Sequence, residues 1–356
     1  MNRLMRLAAA ALLVAAAGAG CSSKGGGGGS GARLTGAGAT FPYPLYSKWF
    51  DTYREKSGVQ INYQSIGSGG GIQQLKAGTV DFGASDAPLT DDKLRDMPHP
   101  VLHFPTVAGA VVLAYNLPGV KQQIQLSRDA LVAIYTGHVR KWNDARIAAV
   151  NLGVKLPDLT ILPVHRSDGS GTTNIFTTYL SAVSASWKDS IGANTSVSWP
   201  GGGVGAKGND GVAGQVRQTP GAIGYVELAY AKQNALPMAK LQNAAGVYVD
   251  PTLASTTAAV RASAAALQQD VRTPIVNAAS PDAYPIAGLT FLLVYESQPD
   301  AAKGKALAQF IQWAMTDGQK MAEPLYYAPL PEEIVRVNQA NLSKVTSAGK
   351  PVLASR

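Results

Sequence analysis

The residues best suited to anion binding lie in one short segment, HRSDGSGTTN, where an arginine precedes a predicted helix. Ser170, Gly171 and Thr172 offer backbone N–H groups and hydroxyls at the helix start, where unpaired amides and the helix dipole favour negative charge. Arg166 adds a planar guanidinium that can bind two oxygens at once. Taken alone, the segment fits equally well a capped helix beside a solvated pair formed by Arg166 and Asp168.

Two further predicted helix starts carry similar donors. Thr40 precedes a helical pattern that runs through Leu45, Trp49 and Tyr53 and stops at Gly58. Ser68 lies in a glycine-rich turn that opens a shorter helical pattern. Three helix starts with small polar residues favour the anion-site interpretation over simple capping.

A carboxylate follows the predicted buried strand in residues 80–88, because the pattern ends at Asp86. An ionised carboxylate can only accept hydrogen bonds, so an acid at the mouth of an anion site is unusual and informative. The alternative is an aspartate that caps the turn before residues 90–93.

Five motifs, in the same order as in a known family, resemble the phosphate-binding proteins of Pst-type ABC phosphate transporters. They are TGAGATFPYPLYSKW, YQSIGSGGG, VDFGASDAPL, RSDGSGTT and GNDGVAGQV with PGAIGYVE, and the likeness runs from about residue 34 to the end. The resemblance implies an α/β, two-lobed periplasmic binding protein fold of type II-like form, with dehydrated phosphate held between the lobes. The phosphate ligands that it implies are Thr40, Phe41 through its main-chain N–H, Ser68, Asp86, Arg166, Ser170, Gly171 and Thr172. It further implies that Asp168 pairs with Arg166 and orients it. Phosphate keeps a proton near neutral pH and needs an acceptor as well as donors, whereas sulfate carries no such proton, so an ionised Asp86 would favour phosphate over sulfate.

Strand and helix signals alternate along the chain, which indicates α/β lobes. A chain of this family would cross between lobes twice, and we expect the crossings near residues 105–114 and 284–293. The first lobe would then comprise residues 33–110 plus 286–356, and the second lobe residues 111–285. The Ala-, Ser- and Thr-rich stretch Leu253–Leu267 predicts one helix.

The N-terminus predicts secretion. Arg3 and Arg6 precede an apolar run, Leu7–Ala17, that is shorter than the roughly 20 residues a membrane span needs. Cys21, the only cysteine, resembles a lipobox cysteine, although Gly18 replaces the usual larger aliphatic residue. We therefore expect a signal peptide at 1–20 and lipid on Cys21; the alternative is ordinary signal cleavage nearby.

A glycine-rich tether, residues 21–32, would let a lipid-anchored domain stand off a bacterial membrane, in the periplasm or at the outer surface. With one cysteine, intrachain disulfides are excluded. The formal net charge is +8, but the basic residues are dispersed and no aromatic-interleaved basic cluster occurs, so nucleic acid is not an expected partner. We expect a monomer.

Several other functions are not favoured by the sequence. No G-x-x-x-x-G-K-[ST] loop occurs, so ATP hydrolysis would belong to the ATPase that partners the transporter permease. No cofactor is expected, and Pro98 and Pro100 oppose a helical metal pair of His99 and His103. The GNDG and GAIGY motifs are interpreted as lobe architecture without a ligand role.

A hydrolase is the alternative of a different class, with Ser170 as nucleophile and His165 as base. The glycines flank Ser170 directly, which does not match a G-x-S-x-G elbow, and no third group is spaced to orient His165. We therefore predict a binding protein and not an enzyme. Binding of sulfate or arsenate, or a role as a phosphate sensor or surface adhesin, remains open at this point.

Overall fold

A computed structural model describes residues 31–353, which form an α/β protein. The strands are β1 Arg33–Gly38, β2 Gln60–Ser65, β3 Phe82–Ser85, β4 Val101–Tyr115, β5 Gln125–Leu126, β6 Leu162–Arg166, β7 Val204–Ala206, β8 Ala222–Glu227, β9 Lys240–Gln242, β10 Tyr248–Val249, β11 Ala287–Tyr295, β12 Thr346–Ser347 and β13 Lys350–Pro351. The α-helices are α1 Tyr43–Ser57, α2 Ser68–Lys76, α3 Asp91–Arg95, α4 Arg128–Tyr135, α5 Ala145–Ala148, α6 Gly171–Val183, α7 Ala185–Ser190, α8 Gly208–Gln218, α9 Leu228–Gln233, α10 Leu253–Ala262, α11 Ala264–Gln269, α12 Ala301–Ala314 and α13 Glu332–Leu342. Two 3-10 helices, Asp317–Met321 and Glu323–Leu325, precede α13.

The main sheet has eight strands in the order β2-β1-β3-β11-β4-β8-β6-β7. Strand β4 lies in the middle of this sheet and joins its two halves. Its residues 101–110 pair with β11 and its residues 111–115 pair with β8, and both pairings are antiparallel. We call β2, β1, β3, β11 and residues 101–110 the first half-sheet, and residues 111–115 with β8, β6 and β7 the second half-sheet. Loops from both half-sheets carry the predicted site residues.

The central strands β4 and β11 are buried over nearly their whole length, as their apolar sequences predict. Helix α1 packs against the first half-sheet through Tyr46, Trp49 and Phe50, and the ring of Phe50 contacts Phe310 of α12 at 5.5 Å between centroids. This aromatic cluster holds the start of α1, and with it Thr40, in a fixed place.

The predicted helix with Leu45, Trp49 and Tyr53 is confirmed as α1, and it ends in a left-handed residue at Gly58. The single helix predicted over Leu253–Leu267 is wrong. The chain forms α10 and α11 with a break at Ser263, which caps the end of one helix and the start of the next. A local pattern rich in small residues does not reveal this break, because Ala, Ser and Thr fit either arrangement.

The predicted signal peptide, Cys21 and most of the glycine-rich tether lie outside the described residues. Within residues 31–353, no helix is both long enough and hydrophobic enough to cross a bilayer.

Candidate functional site

Four helix starts converge on the predicted anion site. Thr40 lies just before α1, Ser68 is the first residue of α2, Ser170 is the N-cap of α6, and Gly208 begins α8. Helices α1 and α2 belong to the first half-sheet, and α6 and α8 pack on the second. Their amide dipoles therefore favour negative charge from both sides.

Arg166 ends β6 and is held by a carboxylate in a two-point contact. Its Nε donates to Asp168 Oδ1 at 2.7 Å and its Nη2 donates to Asp168 Oδ2 at 2.5 Å. The arginine side chain is only 1% exposed. Burial raises the pKa of Asp168, but the hydrogen bonds and charge of Arg166 outweigh it and hold that pKa below its usual range. The pair is thus neutral overall, so helix dipoles and directed donors, more than net charge, must compensate a bound anion.

Asp86 follows β3 at the same place and is 3% exposed. The Thr290 hydroxyl donates to its Oδ1 at 2.8 Å. Burial raises the pKa of Asp86 to about 7, although the Thr290 hydrogen bond and the Arg166 charge lower it. The Thr172 hydroxyl also lowers the pKa of this carboxyl, and a carboxylate has lone pairs enough to accept a further hydrogen bond from a protonated oxyanion.

The two half-sheets meet directly at Ser68. Its hydroxyl oxygen accepts the Asp86 N–H at 3.2 Å and the Gly171 N–H at 3.0 Å. Nearby, the Gly69 N–H donates to the Gly169 carbonyl at 2.9 Å. A Cβ on Gly171 would lie 2.5 Å from the Ser68 hydroxyl and 2.6 Å from Asp86 Oδ2, so this approach requires glycine.

Asn209 connects several site residues, although its sequence motif was not expected to have a ligand role. Its Nδ2 donates to Thr40 Oγ1 at 2.8 Å and to Thr172 Oγ1 at 3.1 Å. Its backbone N–H also donates to Thr40 Oγ1 at 3.2 Å, and its Oδ1 accepts the Glu227 N–H at 2.9 Å. The GNDG motif marked this position, but nothing local showed that its asparagine faces two threonines. Thr290 likewise had no local signal.

Three tyrosines orient the loop before α1. Tyr63, Tyr230 and Tyr327 donate their phenol hydroxyls to three consecutive carbonyls, those of residues 39, 40 and 41, at 2.8, 2.6 and 2.7 Å. All three carbonyls are thereby turned toward phenols. Two of these peptide planes carry an N–H on the opposite side, those of Thr40 and Phe41, whereas the third ends at Pro42, which has no N–H.

The predicted ligands are all buried: Thr40, Phe41, Ser68, Asp86, Arg166, Ser170, Gly171 and Thr172. Hydrogen bonds link Ser68 to Asp86 and Gly171, and Asn209 links Thr40 to Thr172, whose hydroxyl is 3.5 Å from Arg166 Nη1. The Ser170 hydroxyl caps α6 by accepting the Thr173 N–H at 3.0 Å. The structure brings these residues together, while their individual roles toward a ligand remain predictions.

The hydrolase alternative finds no support in the position of His165. Its ring stacks on Trp199 at 5.2 Å between centroids, and its Nδ1 is 3.1 Å from the Arg166 carbonyl oxygen. The Ser170 hydroxyl is engaged with the Thr173 N–H at the start of α6. Among residues 31–353, no three His, Cys, Asp or Glu side chains form a group that could hold a metal ion.

Comparisons with known proteins are consistent with this geometry. Residues 23–317 match the family model described as the PBP superfamily domain. The chain is 47% identical over 309 residues to the phosphate-binding protein PstS of Xylella fastidiosa, covering 86% of this chain and 84% of the relative. It is 45% identical to PstS of Pasteurella multocida, covering 86% and 89% of the two chains.

Solved structures share the fold. A periplasmic phosphate-binding protein with bound phosphate superposes with a TM-score of 0.70 at 22% identity, covering 90% of this chain and all of the other. The α/β, two-lobed periplasmic binding protein fold expected from the sequence is therefore confirmed.

Proposed function

The chain belongs to the PBP superfamily and, within it, to the PstS phosphate-binding proteins, and on this premise we propose that it binds inorganic phosphate for import by an ABC transporter. The observation that carries the proposal is the placement of one buried carboxylate, Asp86, among donors from four helix starts and Arg166. It acts by binding and not by catalysis.

The donors suit a phosphate removed from water. An isolated buried charge is costly unless its lone pairs are satisfied, and helix amides with Arg166 supply hydrogen bonds without a large net charge. We propose the ligand set Thr40, Phe41 through its N–H, Ser68, Asp86, Arg166, Ser170, Gly171 and Thr172. Asp168 would hold the guanidinium in register with the anion, as its two-point contact supports.

Asp86 would accept the phosphate proton and repel sulfate. A buried site that hydrogen-bonds one group of its ligand can prefer that ligand over an analogue without the group by roughly four to five orders of magnitude in affinity. Calorimetric titration of wild type and Asp86→Asn with phosphate and with sulfate tests the proposal. We expect wild type to prefer phosphate strongly and the variant to lose much of that preference. Equal binding of both anions by wild type would overturn it. Arsenate shares phosphate's shape and protonation, so Asp86 would not distinguish the two, and a titration with arsenate measures discrimination by other features of the site.

We further propose that the lobes are residues 33–110 plus 286–356 and residues 111–285. The change of partner along β4, from β11 to β8 after residue 110, supports the first crossing. The contacts of Ser68 with Gly171 and of Thr40 with Asn209 would then be contacts between lobes. Closure of these two lobes around phosphate would be measured as a decrease in the radius of gyration, by small-angle X-ray scattering, when phosphate is added.

We propose that the protein acts as a monomer that delivers phosphate to separate permease and ATPase subunits, since its sequence contains no P-loop. Residues 1–20 would be a signal peptide, and Cys21 would carry lipid at the head of the tether 21–32. The protein would then be periplasmic or at the outer surface, anchored to a bacterial membrane. Changing Cys21 to alanine should move the protein from membrane to soluble fractions, and a wholly soluble wild type would refute the anchor.

A further inference from the structure

Asn209 contacts the hydroxyls of two predicted ligands that lie on opposite half-sheets. Thr40 Oγ1 accepts its backbone N–H at 3.2 Å and its Nδ2 at 2.8 Å. Thr172 Oγ1 accepts the same Nδ2 at 3.1 Å and Arg166 Nη1 at 3.5 Å. Each hydroxyl oxygen therefore faces two N–H donors.

A threonine hydroxyl has one proton to donate and two lone pairs that accept. When N–H donors occupy both lone pairs, the single proton must point elsewhere, toward an acceptor. At Thr172 the acceptor on the protein is the Asp86 carboxyl, whose pKa the threonine hydroxyl helps to lower, so donation to an anion requires that the Thr172 proton turn from Asp86 to the anion. Ser68 has the same arrangement, with the two N–H groups of Asp86 and Gly171 on its oxygen.

A hydrogen bond on the side away from the threonines fixes the orientation of the Asn209 amide. Its Oδ1 accepts the Glu227 N–H at 2.9 Å, which places Nδ2 toward the threonines. A flipped amide would bring its carbonyl toward both hydroxyls and oppose its nitrogen to the Glu227 N–H. Asn209 is wholly buried, so water does not compete for these positions.

We propose that Asn209 is a positioning residue that makes the Thr40 and Thr172 hydroxyls donate to the bound oxyanion; this inference rests on the proposed phosphate function. Asn209 does not need to touch the anion. Its N–H groups occupy lone pairs of both hydroxyl oxygens before binding, so that each proton is left for an acceptor and less ordering is required when phosphate enters. It also links the two half-sheets through a single amide, so that both hydroxyls are set together.

Two substitutions separate this role from simple packing. Asn209→Asp keeps the shape but presents an acceptor to both threonines, whose protons then turn away from the anion. Asn209→Ala removes the amide and leaves the hydroxyls free to rotate. We expect phosphate affinity to fall about 10-fold in Asn209→Ala and about 100-fold or more in Asn209→Asp. A packing role predicts the reverse order, because the isosteric aspartate fills the space. An ionised aspartate would also repel phosphate directly, so the neutral Asn209→Ala substitution is the one used in the double-mutant cycle.

A double-mutant cycle gives a second readout. In a Thr40→Val, Thr172→Val background, the effect of Asn209→Ala on phosphate affinity should shrink to within about twofold, because the hydroxyls through which it acts are gone. A cycle without coupling would overturn the proposal, and it remains informative if Asn209→Asp does not fold.

The control is Asn243→Ala, a substitution of another wholly buried asparagine, whose amide donates to the carbonyls of residues 280, 281 and 283. It should lower stability to urea while leaving phosphate affinity unchanged. If wild type fails to bind phosphate, the proposed function is wrong. If wild type binds but the order of the variants is reversed, only the role of Asn209 is wrong.

Discussion

Replacing Asp86 with asparagine tests how strongly burial disfavours a charge at this position. Burial raises the pKa of Asp86 from 3.8 to about 7 in the folded chain. A difference of about three pKa units, at 1.36 kcal/mol each, corresponds to about 4 kcal/mol. Because the carboxyl is 3% exposed, solvent screening does not reduce this figure substantially.

The sign follows from proton binding. Between about pH 4 and pH 7 the folded protein binds more protons at Asp86 than the unfolded chain does, so its free energy of unfolding falls as the pH rises through this window. Above pH 7 the whole penalty is present. The asparagine side chain of the variant carries no charge at any of these pH values. The stability of the variant relative to wild type should therefore increase by about 4 kcal/mol from pH 4 to pH 8.

Urea unfolding followed by tryptophan fluorescence, in phosphate-free buffer at several pH values, measures this difference. Asp168→Asn is the control, and its stability relative to wild type should change with pH in the opposite direction, because Arg166 holds the pKa of Asp168 low. The stability that wild type has over that variant should be present above the unfolded pKa and be lost as the pH falls. Parallel stability profiles for wild type and Asp86→Asn from pH 4 to pH 8 would refute the reasoning.

Three further substitutions probe the site by phosphate titration or carboxyl NMR. Arg166→Lys keeps the charge but loses the planar fork, so affinity should fall by roughly 1–3 kcal/mol with folding retained; unchanged affinity would remove Arg166 from the site. Gly171→Ala would place the new Cβ 2.6 Å from Asp86 Oδ2 and should weaken phosphate binding more than about 10-fold. The control Gly214→Ala, whose new Cβ would have no neighbouring atom within 4 Å, should bind phosphate as wild type does. Thr290→Val should raise the pKa of the Asp86 carboxyl, and an unaltered NMR titration would contradict this.

Local sequence was enough to predict three of the four helix starts that form the site. Thr40, Ser68 and Ser170 precede or open helices as predicted, although only Ser170 caps its own helix with its side chain. These features depend on neighbours within a few residues, which a sequence displays directly.

Contacts between distant residues could not be predicted in the same way. Thr290 lies 204 positions from Asp86, and Asn209 lies 169 positions from Thr40. Their hydrogen bonds depend on how the two half-sheets pack, and an isolated asparagine at a helix start has many possible partners. The break at Ser263 was missed for a local reason, since the surrounding small residues carry little hydrophobic periodicity.

The three phenols on the loop before α1 have a consequence for the strength of its amides. A peptide unit is a rigid plane with its carbonyl and N–H on opposite sides, and a donor on the carbonyl oxygen draws electron density away from the N–H. The Thr40 carbonyl shares its plane with the Phe41 N–H, so the hydroxyl of Tyr230 polarises that N–H without approaching the anion. Aromatic residues remote from the ligand can thereby adjust its affinity in small steps, through the backbone, while every contacting side chain stays the same.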